Sequence, residues 1–404
     1  MSGQHFDVIV VGGGPSGSST AALLAKEGRK VLLLEREKFP RYHIGESLIP
    51  GMWPTIEQLG LRERLENSGF VKKYGGSLVW GRGLPLWHFD FAEGGPYPYT
   101  FQVRRADFDM LLLTRARELG VRVVEDATVK NPLFTDERMT GVSYQVRGGP
   151  LTEAHARLVV DASGQQRWLG RHFDMVEWQE DLRNFAVWAY FQGCAREEGE
   201  RRGNILAERR PGGWIWFIPF SDGTTGVGYV TPTRLLAESG LSPENLFEEQ
   251  VAASQQVSKM VAGAHRVSGF RTIKDWSYTC SRFHGPGWLL VGDAATFVDP
   301  LLSTGVTLAL RGATTAAATI GRILDEPADA AKAGAQYEDA YRRFVDRLFG
   351  FVRAFYDQTK GRDEYFDDAQ KIMGGARKSP QADFVTLVSG LAGIEEFYEG
   401  GAFV

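Results

Sequence analysis

The sequence predicts an α/β fold: a parallel sheet of the doubly wound kind, interleaved with a second, antiparallel sheet and followed by a helical C-terminal segment. Three observations predict it. The chain opens on the apolar run Val8-Ile9-Val10-Val11, a glycine turn, a helix-like stretch to Lys26 and then Lys30-Val31-Leu32-Leu33-Leu34-Glu35, which together read as a βαβ unit. Between about residues 183 and 232 the pattern changes to alternating runs at 185–191, 214–219 and 225–230, as expected of antiparallel strands. A short buried run, Trp288-Leu289-Leu290-Val291, then returns to the first sheet and leads into a long helix over about 305–324.

Taken in order, the first helix repeats Ala21, Leu24 and Ala25 at helical spacing, and the small Gly17, Ser18 and Ala22 let it lie close on the sheet. Residues 36–49 lose all periodicity and are expected to form an ordered loop, and helical segments are expected near 53–67. Two runs then alternate, Ser77-Leu78-Val79-Trp80 and Leu86-Trp87-His88-Phe89-Asp90-Phe91. In the second, Trp87, Phe89 and Phe91 share one face as an aromatic wall. A helix over 106–119 leads to Val121-Arg122-Val123-Val124 as a second strand–helix–strand passage of the parallel sheet, and runs at 126–134, 140–147 and 151–160 form a meander. Residues 330–400 are mostly helical in pattern, with Tyr341, Phe344, Leu348, Phe351 and Phe355 at helical spacing. That apolar face is expected to pack on the sheets, and the chain closes on an aromatic cluster of Phe397, Tyr398 and Phe403.

Composition narrows the function classes. The 404 residues are 43% hydrophobic and 24% charged with a net charge of −4, which excludes a disordered chain, and no basic stripe suggests nucleic acid. Two cysteines, Cys194 and Cys280, have no metal-ligand spacing and suit a reducing cytoplasm, so no metal site is expected. Asp293, Asp299 and Arg311 interrupt the most apolar region, so no membrane insertion is expected, and the early first strand leaves no room for a signal peptide.

The chemistry begins at Gly12-x-Gly14-x-x-Gly17. The motif follows a strand and opens a helix, so its glycines allow a tight turn and bring backbone N–H groups up to a pyrophosphate. Glu35 ends the next strand, where an acid binds a ribose hydroxyl, with Arg36 beside it. Asp161-Ala162-Ser163-Gly164 and Gly292-Asp293-Ala294-Ala295 each follow a buried strand, at the carboxyl end where open α/β sheets hold ligands, and Asp299-Pro300 lies just beyond. Over about residues 6–325 this combination resembles the two-domain FAD-dependent oxidoreductases built like aromatic hydroxylases. The resemblance implies FAD held by Gly12, Gly14, Gly17, Glu35, Arg36, Ser47, Arg105, Asp293, Pro300 and Gly305. It divides the chain into FAD-binding parts (1–75, 105–175, 281–330), substrate parts (76–104, 176–280) and a helical C-terminal segment, 331–404.

The spacing within Asp161-Ala162-Ser163-Gly164, and the loop His43-Ile44-Gly45-Glu46-Ser47, look like the branch shared by halogenases and prenyl reductases. Gly213-Trp214-Ile215-Trp216-Phe217-Ile218-Pro219 separates the two, because it matches the Trp-x-Trp-x-Ile-Pro signature of flavin-dependent halogenases; read without that resemblance it is a core strand rich in aromatics. In a strand Trp214 and Trp216 share a face, and Pro219 ends the ladder. The resemblance makes Trp214, Trp216, Ile218 and Pro219 a barrier that keeps substrate from the flavin, Lys73 the catalytic residue, and the backbone at Thr304 and Gly305 a halide site. Lys72 is expected to be solvated.

Tryptophan-specific members carry a glutamate where this chain has Leu302, so the resemblance favours the branch acting on phenols or pyrroles, free or tethered to a carrier protein. The implied activity belongs to secondary metabolism, antibiotic biosynthesis included. Reduced FAD from a separate flavin reductase, oxygen and chloride or bromide would give hypohalous acid, which passes the indoles to Lys73 and halogenates an electron-rich ring held on the aromatic wall. His88, Tyr42 and Tyr97 are candidates to activate the substrate. The rivals are an FAD-dependent aromatic monooxygenase, a geranylgeranyl-reductase-like enzyme reducing an isoprenoid chain, and a non-catalytic flavin-binding protein.

Overall fold

The computed structural model describes residues 5–375 and 378–392. Phe397, Tyr398 and Phe403 lie outside them. The opening unit forms as its pattern dictates: strand His5–Val11, helix Pro15–Lys26 and strand Val31–Leu34. Gly14 caps the helix in an extended conformation and Pro15 occupies its first turn, where a missing N–H costs nothing. Every residue from Pro15 to Leu24 is buried, which the run of Gly, Ser, Thr and Ala permits.

Parallel pairing sets Val10 beside Val160 on one side and Leu33 on the other. The sheet runs in the order His284–Gly285, Trp288–Leu290, Leu151–Asp161, His5–Val11, Val31–Leu34, Arg122–Val124, with the hairpin Ala127–Thr135/Arg138–Val146 attached to Leu151–Asp161. Its central strands end together at Val11, Leu34, Asp161 and Leu290, so the loops that follow them share one edge.

The second sheet runs His265–Arg266, Asn184–Gln192, Thr224–Pro232, Gly213–Pro219, Ile205–Arg210, Gly75–Val79, Leu86–Asp90. One face, with Trp188, Trp214, Trp216, Ile218, Trp87 and Phe89, joins the main core, whereas Ile215, Phe217, Val227 and Tyr229 face a smaller outer core. The C-terminal helices Ala330–Tyr356, Arg362–Ile372 and Pro380–Val388 complete the main core through Tyr341, Phe351, Phe355 and Phe384.

Several expectations need correction. The second sheet is not wholly antiparallel, because Ile205–Arg210, which the alternation did not reveal, pairs parallel with Gly75–Val79. The strand before helix Arg105–Glu118, Thr100–Gln102, pairs antiparallel with Val71–Lys73 in a ribbon of its own rather than in the parallel sheet. Phe91 leaves the strand at Asp90 and starts a short 3₁₀ turn. The aromatic wall is also covered by the chain itself: the Phe384 ring packs 5.7 Å from Trp87 and 5.6 Å from Phe89, and Phe366 lies 5.7 Å from Trp87.

Candidate functional site: an elongated cavity between the two sheets

The shared edge of the parallel sheet opens into a cavity of about 480 Å³. Glu35, Arg36, Thr128 and Val129 line one end. Gly12, Gly14 and Ser16 line the same end, Arg105 and Asp293 line its middle, and Gly45, Glu46, Ser47, Ile205, Trp214, Trp216, Ile218, Pro300 and Gly305 line the other end.

At the first end the turn is held by its own backbone. Gly12 has φ +105°, and a Cβ at Gly17 would lie 1.9 Å from the Gly12 carbonyl oxygen, so the helix can start this close to the strand only with glycine there. Glu35 is buried and accepts from Gly13 N–H (2.6 Å) and Glu37 N–H (2.8 Å), while Arg36 is exposed at the rim. Asp161 accepts from the Ser163 and Leu169 N–H groups at 2.9 and 2.7 Å, fixing the loop Ala162–Gly164 that forms the opposite wall.

In the middle, Arg105 is 5% exposed and donates to both carboxylate oxygens of Asp109 (2.7 and 2.9 Å) and to Ile44 C=O (2.8 Å). Burial pushes the Asp293 carboxyl up to about 7 against the opposing charge of Arg105, so this acid is poised to gain from a hydroxyl donor in the cavity. At the far end, Asp299 caps the turn Pro300–Leu302, Ser303 adopts φ +57° and helix Gly305–Asp325 begins. Ser303, Gly305 and Val306 line the cavity, while Thr304 between them is 3% exposed and faces the core.

The four residues expected to form a barrier, Trp214, Trp216, Ile218 and Pro219, share the strand Gly213–Pro219, and the first three line the cavity. Trp214 and Trp216 lie 5.9 Å apart at 54°, and Trp188 joins them 6.2 Å from Trp216, so the indoles form a tilted row rather than a flat slab. Gly228, opposite Trp216 in register, leaves room for its ring, since a Cβ there would come 2.1 Å from the indole. Ile218 lines the cavity and Pro219 ends the strand behind it.

Lys73 is 2% exposed. Its Nζ donates to Ser47 Oγ (2.9 Å) and Leu48 C=O (2.9 Å) and lies 5.4 Å from the Phe91 ring centre. Neither partner carries charge, and burial pulls the ammonium down to about 7. The lysine thus stands behind Ser47, in contact with a residue of the cavity wall. Of the other candidates, Tyr42 lines the cavity, His88 exchanges a hydrogen bond with Ser77 (3.0 Å) away from it, and Tyr97 donates to Glu57 (3.0 Å) near the surface.

The family described as tryptophan halogenase matches residues 7–98 and 94–389. The chain belongs to the flavin-dependent halogenases. A tryptophan 2-halogenase of Chondromyces crocatus is 36% identical over 98% of this chain and 77% of that protein. A 1H-pyrrole-2-carbonyl-[peptidyl-carrier protein] chlorinase of Pseudomonas fluorescens is 30% identical over 88% of this chain and 84% of that one. Among solved structures, the myxobacterial chondrochloren halogenase CndH, named as a variant of FAD-dependent halogenases, superposes with a TM-score of 0.84 at 34% identity, covering 96% of this chain and 97% of that one. The flavin-dependent brominase Bmp2 gives 0.86 at 27% identity, over 96% of this chain and 94% of that one. The protein is therefore an oxidoreductase of a family that uses FAD. Among its described residues no helix is long and apolar enough to cross a membrane.

The cavity of this halogenase fits the flavin. Its glycine cradle, terminal acid, buried arginine and half-buried, incompletely neutralised Asp293 form a polar wall along one side, and the indoles form an apolar cap at one end. Sequence reasoning passed over two sets of residues at that end. Glu46, quoted only as part of its motif, is 4% exposed and accepts from Tyr190 (2.8 Å) and Arg104 (3.3 Å). Tyr356, beyond the matched motifs, bonds to Trp214 (2.9 Å). Their partners are distant in the chain, and no spacing rule points to either.

Proposed function

We propose that this halogenase makes hypohalous acid from chloride or bromide in the indole-capped end of the cavity and delivers it by way of Lys73 to an electron-rich aromatic ring, a phenol or pyrrole, free or carrier-tethered. The observation that carries the reading is the position of Lys73: buried, without a carboxylate partner among the described residues, and bonded to Ser47 of the cavity wall. A lysine buried this way costs stability, which supports a role in chemistry.

Gly12, Gly14, Gly17, Glu35, Arg36 and Arg105 would hold the nucleotide half of FAD, and Ser47, Asp293, Pro300 and Gly305 the ring half. Bound in reduced form and supplied by a separate flavin reductase, FAD would provide two electrons to oxygen. The halide, held at the backbone of Thr304 and Gly305, gives up two more. One oxygen atom leaves in hypohalous acid and the other as water.

The protein's own part is positional. Trp214, Trp216 and Ile218 exclude the organic substrate and water from the oxidant while it forms. Lys73, whose nitrogen near neutrality is partly free amine, takes up hypohalous acid after it passes Ser47 and orients its halogen toward the ring. The carbon gains halogen and loses its proton, which leaves with the hydroxyl as water.

Two relatives frame the substrate: the name of one specifies tryptophan and that of the other a carrier-bound pyrrole. Leu302, where tryptophan-specific members carry a glutamate, supports the second type. The test is mass spectrometry of products from the purified protein with FAD, a flavin reductase, NADH, oxygen and bromide, against phenols, carrier-bound pyrrole and free tryptophan, each with and without halide. Brominated phenol or pyrrole, with its isotope doublet, is expected. Bromotryptophan alone would overturn the substrate class, and hydroxylated product of equal yield without bromide would overturn the reaction.

A further inference from the structure

The C-terminal helix Ala330–Tyr356 ends against the barrier, not merely beside it. The Trp214 indole N–H donates to Tyr356 Oη at 2.9 Å, and Tyr356 donates in turn to Asp299 Oδ1 at 3.1 Å. Asp299 is 1% exposed and starts the turn that leads to Gly305. The helix end is itself pinned, because Arg209 donates to the Tyr356 carbonyl at 3.0 Å. One hydroxyl therefore ties together three segments far apart in sequence: the barrier strand, the turn at the flavin-facing helix and the C-terminal helix.

Trp214 is also a partition. It lines the 480 Å³ cavity and, on its other side, a second cavity of about 410 Å³ shared with Trp80, Asn184, Arg209, Val230 and Tyr356. We propose that Tyr356 is a positioning residue for halogenation: by accepting from Trp214 and donating to Asp299 it holds the indole shut between the two cavities, so that oxidant formed on one side does not escape through the other. This deepens the barrier reading and rests on it.

The two bonds differ in what their loss would release. Asp299 retains the Leu301 N–H (2.9 Å), Asn184 (3.3 Å) and Trp276 (3.5 Å) as donors, so the turn keeps its anchor without Tyr356. Among the described hydrogen bonds, the Trp214 indole N–H has the Tyr356 hydroxyl alone. A buried N–H without an acceptor is costly, so the indole is the group that moves to find one.

The test is Tyr356→Phe, which removes one oxygen atom and keeps the ring. In the protein without flavin, labelled at tryptophan with ¹⁵N, the Trp214 indole resonance, assigned by its absence in Trp214→Phe, is expected to move upfield as its hydrogen bond is lost. In the FAD-loaded enzyme with a flavin reductase and bromide, bromination of monochlorodimedone, a trap for free hypohalous acid, is expected to rise several-fold while oxygen consumption stays near wild type. Ser277→Ala removes a different anchor of the same loop, the bond to the Val298 carbonyl, and is expected to leave the leak at the wild-type level. If Tyr356→Phe fails to fold, Tyr356→Met, which also removes the hydroxyl and leaves the indole in place, should shift the Trp214 resonance and leak alike.

An unshifted Trp214 resonance, an unchanged leak, or an equal leak from Ser277→Ala would overturn the proposal. Absence of any bromination by the wild-type enzyme would instead refute the functional reading beneath it, while the indole resonance would still report on the bond.

Discussion

At its glycine-turn end the cavity is made largely by one contiguous stretch, in which Gly12 to Gly17 and Glu35 satisfy each other through backbone N–H groups. At its indole-capped end it is made by side chains from segments hundreds of residues apart, with Ser47, Ile205, Trp214, Trp216, Ile218 and Gly305 meeting across two sheets. The first end depends on close backbone approach and the second on where a few large or charged side chains are held. Substitutions at the two ends should therefore fail in different ways, one by losing the cofactor and the other by losing control of the oxidant.

The largest separation is expected from Lys73→Met. Removing the amine should lower halogenated product by about a hundredfold or more, in the range of lost proton-transfer or nucleophilic groups. Flavin affinity and oxygen consumption should stay near wild type, because Lys73 reaches the cavity only through Ser47. Product yield per oxygen consumed is the measurement. A parallel loss of flavin binding would mean that the two ends are not separable.

The opposite failure is expected from Gly17→Ala. Its Cβ would sit 1.9 Å from the Gly12 carbonyl and 3.2 Å from the Ala162 Cβ, so the strand–turn–helix must open. Overpacking of this sort costs about 1–3 kcal/mol. If that strain falls on the bound state, FAD affinity drops by about ten- to a hundredfold. Fluorescence titration with FAD measures it, and any product still formed at saturating flavin should keep its normal yield per oxygen.

Legibility in the sequence follows the same division. The glycine cradle, Glu35, the two-residue period of Trp214 and Trp216, and Asp293 at the end of a buried run are local patterns, and the structure puts them all on one cavity. Strand Ile205–Arg210 was not legible because its inward and outward positions carry charge. Glu208 is 1% exposed and accepts from the Gln256 and Val257 N–H groups at 2.9 Å each, and Arg209 is spent on the Tyr356 carbonyl, so alternation of apolar residues is absent. The aromatic wall was legible as a pattern, but its partner was not. The rings of Phe366 and Phe384 that cover it come from helices nearly 300 residues later, and periodicity carries no information about which surface meets which.

A pH series sharpens the contrast by isolating the burial of Lys73. Its amine is held at about 7 in the folded protein against an ordinary 10.5, with burial as the cause. Between these values the unfolded chain keeps a proton that the folded chain has shed, so the contribution of this residue to stability rises with pH across that window and is at its most unfavourable below about 7. Urea unfolding of the wild type and Lys73→Met at several pH values should give a difference that shifts in favour of the wild type by about 1.4 kcal/mol per pH unit above 7. A flat difference would mean that the amine is hydrated.

The smallest effect is expected one residue away. In the ribbon Val71–Lys73, Lys72 is registered with Phe101 and Lys73 with Thr100, and successive side chains of a strand point to opposite faces. Lys72 therefore leaves the core: its side chain is 42% exposed, pairs with Glu66 at 3.3 Å and lies 4.2 Å from the Tyr99 ring centre. An exposed pair of this kind is worth about 0–1 kcal/mol. Lys72→Met should thus change the unfolding midpoint slightly and leave bromination within about twofold, a change of less than 0.5 kcal/mol in barrier. Two adjacent lysines of identical chemistry would then differ a hundredfold or more in consequence, with strand parity as the cause. Equal losses at both positions would point instead to a role for the ribbon as a whole, and the distinction between a buried and a solvated amine would lose its force.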